Sequence, residues 1–146
     1  MRMRAALLLA LLFLGSGLLL TRCPANRDGM PGQLAQAMEE TTAAALSGAF
    51  ALDQWDRERA TARLTSVQLS DARDQVTKAY SGIAELRAED PVDVERQRML
   101  TRSMTTIIDQ LNAASATIRN VSTEPSAVKA RTDLIASADA LESRYR

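Results

Sequence analysis

The feature that most constrains the fold is a stripe of apolar residues spaced alternately four and three positions apart. Its members are Leu100, Met104, Ile107, Leu111, Ala114, Ile118 and Val121. An average spacing of 3.5 residues keeps such side chains on one helix face, turned toward a partner helix. Asp90 suits the N-cap, Pro91 the first helical position and Asp93 the first turn. We therefore predict a helix over 91–121.

Three more segments carry stripes of the same kind. The first lies after Pro125 and contains Val128, Leu134, Ile135, Ala138, Leu141 and Tyr145. The second ends before Asp90 and contains Leu69, Ala72, Val76, Ala79, Tyr80, Ile83 and Leu86. The third contains Leu34, Met38, Thr41, Ala45, Gly48, Leu52 and Trp55. The last two are out of phase, so either one helix spans 33–89 or the chain breaks near 48–53 with Asp53 as a new N-cap. We favour the break.

Short connections at 89–91 and 122–125 make consecutive helices antiparallel neighbours. The predicted fold is therefore all-α, an up-and-down antiparallel bundle of three to four helices over 33–146. With much alanine and few aromatic residues, such a bundle is slim, and we expect it to self-associate or to bind another protein. We expect the heptad positions to form the interaction seam, represented by Leu100, Met104, Ile107, Leu111, Ile118 and Trp55.

The amino-terminal segment 1–22 differs from the rest of the chain. Arg2 and Arg4 precede sixteen uncharged residues at 5–20, the pattern of a signal peptide or a membrane anchor. A helix of sixteen residues is about 24 Å long, short of the roughly 30 Å hydrocarbon core, so its length leaves both interpretations open. Residues 23–32, rich in Gly and Pro, are predicted to be a linker. If the anchor is retained, the positive flank favours a cytoplasmic amino terminus with the body outside the cytoplasm.

Cys23 is the single cysteine and has three candidate roles. The stretch 20–23 resembles a bacterial lipobox, whose cysteine is lipidated, but Arg22 occupies the position where a lipobox has Gly, Ala or Ser. Outside the cytoplasm, Cys23 could instead form an intermolecular disulfide across a parallel dimer. The third role is that of a surface thiol without function, or one removed with the signal peptide.

Composition excludes several classes of function. The chain has no histidine, which excludes Ser-His-Asp catalysis and histidine-ligated metals, and one cysteine excludes metal sites built from several cysteines. Its 18 basic and 18 acidic residues give no broad basic face for nucleic acid. Acid pairs such as Asp71 with Asp74 are typical of solvated helix faces. We predict no catalytic residue, no cofactor, no metal site, no nucleic-acid partner and no evident small-molecule ligand.

These observations favour a non-enzymatic bacterial envelope protein. An excess of Arg over Lys and abundant alanine are typical of a GC-rich bacterial genome. We expect residues 5–20 to hold the chain on the cytoplasmic membrane, or the body to be secreted or periplasmic after signal cleavage, with a bundle that binds itself or another envelope protein. The alternative is a periplasmic four-helix-bundle sensory or ligand-binding module that acts with a separate partner.

Overall fold

The computed structural model describes residues 29–146, which form four α-helices and, within that range, no strand. Their bounds are α1 Met30–Asp56, α2 Ala62–Ala84, α3 Pro91–Ile118 and α4 Ala127–Tyr145. The helices pack against one another as a bundle, joined by loops at 57–61, 85–90 and 119–126. The prediction of an all-α, up-and-down bundle is confirmed.

The helices are arranged as a ring in chain order. Each contacts its neighbours in the sequence, α4 closes the ring on α1, and α1 also reaches α3 across the bundle. The Tyr145 hydroxyl lies 3.4 Å from the carbonyl oxygen of Pro31, which puts the end of α4 beside the start of α1. Gln97 Nε2 donates to the carbonyl oxygen of Ile83 at 2.6 Å, joining the start of α3 to the end of α2. Adjacent helices are therefore antiparallel.

Gly48 accounts for the diagonal approach of α1 to α3. A Cβ atom placed on Gly48 would lie 2.5 Å from Leu111 Cδ2, closer than packed carbon atoms allow. The same atom would lie 3.5 Å from Leu134 Cδ1 and 3.6 Å from Leu69 Cδ2. Side chains from the other three helices thus converge on this glycine. The missing side chain lets all four helices share one core layer.

The core follows the predicted stripes with two exceptions near chain turns. In α3, the stripe is buried from Leu100 to Ile118, but Val121 is 74% exposed because the helix has ended and Asn120 adopts φ 58. In α4, Leu134, Ala138 and Leu141 are buried as predicted. Val128 is exposed, because Ala127 and Ala130 occupy the inward positions of the first turns. Small residues there bring the start of α4 close to the core.

The predicted break between the two stripes is present, but its predicted position near 48–53 is wrong. Helix α1 runs through that range to Asp56, and the chain turns over 57–61, where Glu58 adopts the left-handed φ of 57°. The N-cap of the next helix is Thr61, whose Oγ1 accepts from the Leu64 amide at 3.2 Å. Asp53 does not cap a helix because α1 continues through it, and its carboxylate instead forms ion pairs with two arginines. A single helix over 33–89 is equally excluded.

The starts of α3 and α4 agree with the sequence, whereas α1 starts earlier than predicted. Asp90 caps α3, with Oδ1 accepting from the Val92 amide at 2.8 Å, and Pro91 is its first residue. Helix α1 begins at Met30, within the range predicted as linker, because Pro31 is tolerated in the first helical turn. No helix in residues 29–146 is both long enough and apolar enough to cross a membrane.

Candidate interaction surface

The residues of the predicted interaction seam lie inside the bundle. Leu100, Met104, Ile107, Leu111 and Ile118 are between 0 and 2% exposed and belong to one core cluster. Trp55 is half-buried and packs against the same cluster. In this structure the seam therefore joins helices of the same chain, and a partner of the folded bundle would contact other residues.

Two further predicted features lie outside the described residues. These are Cys23, with its three candidate roles, and the uncharged segment 5–20 with its predicted contact to a membrane. Residue 29 lies at the end of the bundle where α1 begins and α4 ends.

Large apolar side chains remain exposed at several positions on the bundle. Leu64 and Val67 form one neighbouring pair on α2 and are 50% and 52% exposed. Leu46 and Phe50 form a second pair, one turn apart on the outer side of α1, and are 43% and 60% exposed. Their spacing of four residues places them on one helix face. Scattered exposed apolar residues need no explanation, whereas neighbouring ones mark a candidate contact surface.

The two side chains border a shallow cavity of 210 Å³ between α1 and α4. Ala49 from α1 and the half-buried Ile135 from α4 also line it. We call Leu46, Ala49, Phe50 and Ile135 the α1/α4 surface. Leu46 and Phe50 supply most of its exposed apolar area, since Ala49 is buried and Ile135 is half-buried. Its members come from two helices that pack directly on each other.

An ion-pair network borders the α1/α4 surface. Asp53 Oδ2 lies 2.9 Å from Arg57 Nε, and Asp53 Oδ1 lies 3.1 Å from Arg131 Nη1. The Asp53 side chain is 17% exposed, and both it and Arg131 line the cavity. Because Arg131 belongs to α4, this pair ties α4 to α1. The edge of the apolar surface is thereby held in a defined arrangement, although exposed ion pairs contribute only about 0–1 kcal/mol each.

Two pairs of neighbouring acidic residues lie on the outside of the bundle. Asp71 and Asp74 are exposed, and Asp74 Oδ1 accepts from Arg73 at 2.7 Å. Glu39 and Glu40 are also exposed. Among residues 29–146, no group of three or more His, Cys, Asp or Glu is placed to hold a metal ion. These carboxylates face solvent rather than a cleft.

Sequence reasoning did not single out the α1/α4 surface. The inward stripe of α1 was identified correctly, with Leu34, Thr41, Ala45, Gly48 and Leu52 buried. Leu46 and Phe50 lie outside that stripe. Their spacing of four residues was the sequence signal that could have identified them as a pair on one helix face. An apolar pair outside an established core face indicates a second contact surface on the same helix.

Comparisons with protein-family models, with curated proteins and with solved structures found no match to this chain.

Proposed function

We propose that the chain is a non-enzymatic bacterial envelope protein whose helical bundle pairs with a second copy through the α1/α4 surface. Residues 5–20 hold it on the cytoplasmic membrane, with the bundle outside the cytoplasm. The observation that carries the proposal is the exposure of Leu46 and Phe50 side by side on α1. The basic, then apolar, amino-terminal pattern supports the location.

The size of the surface indicates that pairing is weak unless the copies are tethered. Complete burial of a Leu or Phe side chain contributes about 1.5–3 kcal/mol, and these two are roughly half exposed. A symmetric pair buries two from each copy, about 4 kcal/mol before the cost of association. Anchoring both copies in one membrane raises their effective concentration toward the millimolar range. The anchor and the surface therefore act together in this proposal.

The topology favours a parallel arrangement of the two copies. The described residues begin at residue 29, at the end of the bundle where α1 starts. Two copies anchored in one membrane thus present α1 in the same direction, and a two-fold axis along α1 sets Phe50 against Phe50 of the second copy. In this arrangement both copies hold Cys23 at the membrane end. An intermolecular Cys23 disulfide is therefore compatible with the pairing.

Disulfide trapping in membranes tests the pairing. Ser47 is exposed on α1 beside Leu46, so Ser47→Cys in a Cys23→Ser background is expected to give a covalent dimer on mild oxidation. Thr105→Cys, at an exposed position on α3, is the matched control and is expected to stay monomeric. Equal dimer yields at both positions would show random collision and contradict the proposal.

Mass spectrometry of the mature amino terminus tests the location. A chain beginning at Met1 supports the anchor, whereas one beginning at Asn26 is a cleaved, secreted form. A lipid on an amino-terminal Cys23 would mean anchoring by acyl chains instead of a helix. A bundle released with neither a helical anchor nor a lipid would lose the tethering on which weak pairing depends.

The rival proposal is a periplasmic sensory or ligand-binding module acting with a separate partner. A buried polar cavity between the helices would favour it, because ligand pockets enclose most of their ligand. The cavities between α2 and α3, between α3 and α4 and between α1 and α4 are open grooves on the bundle surface. The exposed apolar pair on α1 therefore supports contact with a protein more directly than small-molecule sensing.

A further inference from the structure

A second groove, separate from the α1/α4 surface, lies between the first half of α2 and the last turns of α3. It has a volume of 670 Å³. Three arginines line it, namely Arg63 and Arg73 from α2 and Arg119 just after α3. Its lining contains no carboxylate. We call it the α2/α3 groove.

Two of these arginines are available to a ligand. Within residues 29–146, neither Arg63 nor Arg119 has a carboxylate within ion-pair distance, and both are exposed. Arg73 is held by Asp74 Oδ1 at 2.7 Å and by Ser70 Oγ at 3.2 Å. The groove thus combines two uncompensated guanidinium groups with a third that is positioned by its neighbours. Guanidinium groups bind carboxylates with two parallel hydrogen bonds.

The remainder of the groove is suited to a polypeptide segment. Ser66, Ser115 and Asn112 supply hydroxyl and amide groups that can bond to a peptide backbone. Val67, which is 52% exposed, adds an apolar contact. Small side chains from both helices leave a furrow that is open along its length. Such a furrow accepts a chain laid across it but does not enclose a small molecule.

We propose that the α2/α3 groove binds an acidic segment of a partner protein. Arg63 and Arg73 are ten residues apart on α2, about 15 Å along the helix. An extended peptide covers that distance in about four to five residues. The expected ligand therefore carries carboxylates about four residues apart, with small or apolar residues between them.

Nucleic acid fits the molecule less well than an acidic peptide. After the first 27 residues, the chain has 14 basic and 18 acidic side chains, so the body as a whole repels polyanions. Three arginines provide a local positive site without the extended basic face that phosphate backbones need. The inference goes beyond the proposed pairing and uses different helices, so either can fail without the other.

A fluorescent peptide titration tests the inference with the full chain in non-ionic detergent. The probe is a labelled nine-residue peptide with Glu at positions one, five and nine and Ala, Leu and Ser between them. The same peptide with Gln replacing Glu is its control. We expect saturable binding of the Glu peptide that weakens with added salt, and no measurable binding of the Gln peptide.

Paired protein variants locate the binding. Arg63→Gln with Arg119→Gln is expected to weaken binding at least about tenfold, because both charge-assisted bonds are lost. Arg102→Gln with Arg146→Gln removes the same charge away from the groove and is expected to change affinity by less than about twofold. Circular dichroism checks that all variants stay helical.

Four results would overturn the inference. They are absence of binding by the Glu peptide, equal binding of the Gln peptide, equal weakening in both arginine pairs, and displacement of the peptide by millimolar inorganic phosphate. The third would mean general electrostatic attraction. The last would identify a simple anion site.

Discussion

Replacing Gly48 with alanine tests the packing of the bundle, because two effects of opposite sign compete at that residue. Alanine in place of glycine inside a helix stabilises it by about 0.5–1 kcal/mol. At Gly48, however, the new methyl group would lie 2.5 Å from Leu111 Cδ2, where carbon atoms pack at about 3.5–4.0 Å. Leu111 is 1% exposed, so neighbouring side chains limit its movement.

The steric effect is expected to exceed the helical gain. Inserting a methyl group into a well-packed core costs about 1–3 kcal/mol. After the gain in helix propensity, Gly48→Ala should lower the free energy of unfolding by about 0.5–2 kcal/mol. Gly82→Ala in α2 is the matched control, since apart from the adjacent backbone of its own helix nothing lies within 4 Å of its added Cβ. This control should raise the free energy of unfolding by about 0.5–1 kcal/mol.

Urea unfolding of the full chain in non-ionic detergent, followed by circular dichroism, measures both changes. Leu111→Ala supplies a further check, because it removes the methyl group that Gly48→Ala would strike. In the Leu111→Ala background, Gly48→Ala should raise the free energy of unfolding, as Gly82→Ala does in the native chain. The coupling free energy between positions 48 and 111 is then about 1 kcal/mol or more. If Gly48→Ala and Gly82→Ala stabilise the native chain equally, the close approach of α1 and α3 is refuted.

Three other substitutions test how the helix ends and the buried polar groups are satisfied. Gln97→Leu should lower the free energy of unfolding by about 1–3 kcal/mol, because Nε2 donates to the carbonyl oxygens of Ile83 and Leu86 at 2.6 and 2.9 Å. Thr61→Ala should lower it by about 1 kcal/mol through loss of the α2 cap, and Thr61→Ser should restore most of that. Gln110→Met should leave it unchanged or raise it by up to about 1 kcal/mol, because Gln110 Oε1 is buried with no hydrogen-bond partner. Urea unfolding measures all three, and a result of opposite sign at any of them contradicts the contact concerned.

Periodicity in the sequence was sufficient to predict the helical class, the cap of α3 and most of the core. Periodicity failed to predict features that depend on the backbone conformation rather than on the side-chain pattern. The turn at 57–61 contains no Gly or Pro, and its left-handed residue is Glu58. Its charged residues were therefore the only sequence signal for a turn. Gly48 lies within α1 although the sequence predicts a break near it, and its missing side chain admits Leu111.

Prediction of the candidate sites was limited for a different reason. Heptad spacing identifies an apolar face but does not say whether its partner helix belongs to the same chain. In this protein the seam is covered by the chain's own helices, as Leu100 and Leu111 show. The α1/α4 surface and the α2/α3 groove each combine residues from two helices. Their recognition required knowledge of which helices are neighbours.

The most direct test of the pairing is the yield of the Ser47→Cys disulfide dimer in membranes when the α1/α4 surface is altered. Phe50→Ser is expected to lower that yield at least about threefold, since it removes roughly 1 kcal/mol from each copy. Leu64→Ser, at a 50% exposed position on α2, should leave it unchanged. An undiminished dimer in the Phe50→Ser variant would contradict pairing through this surface.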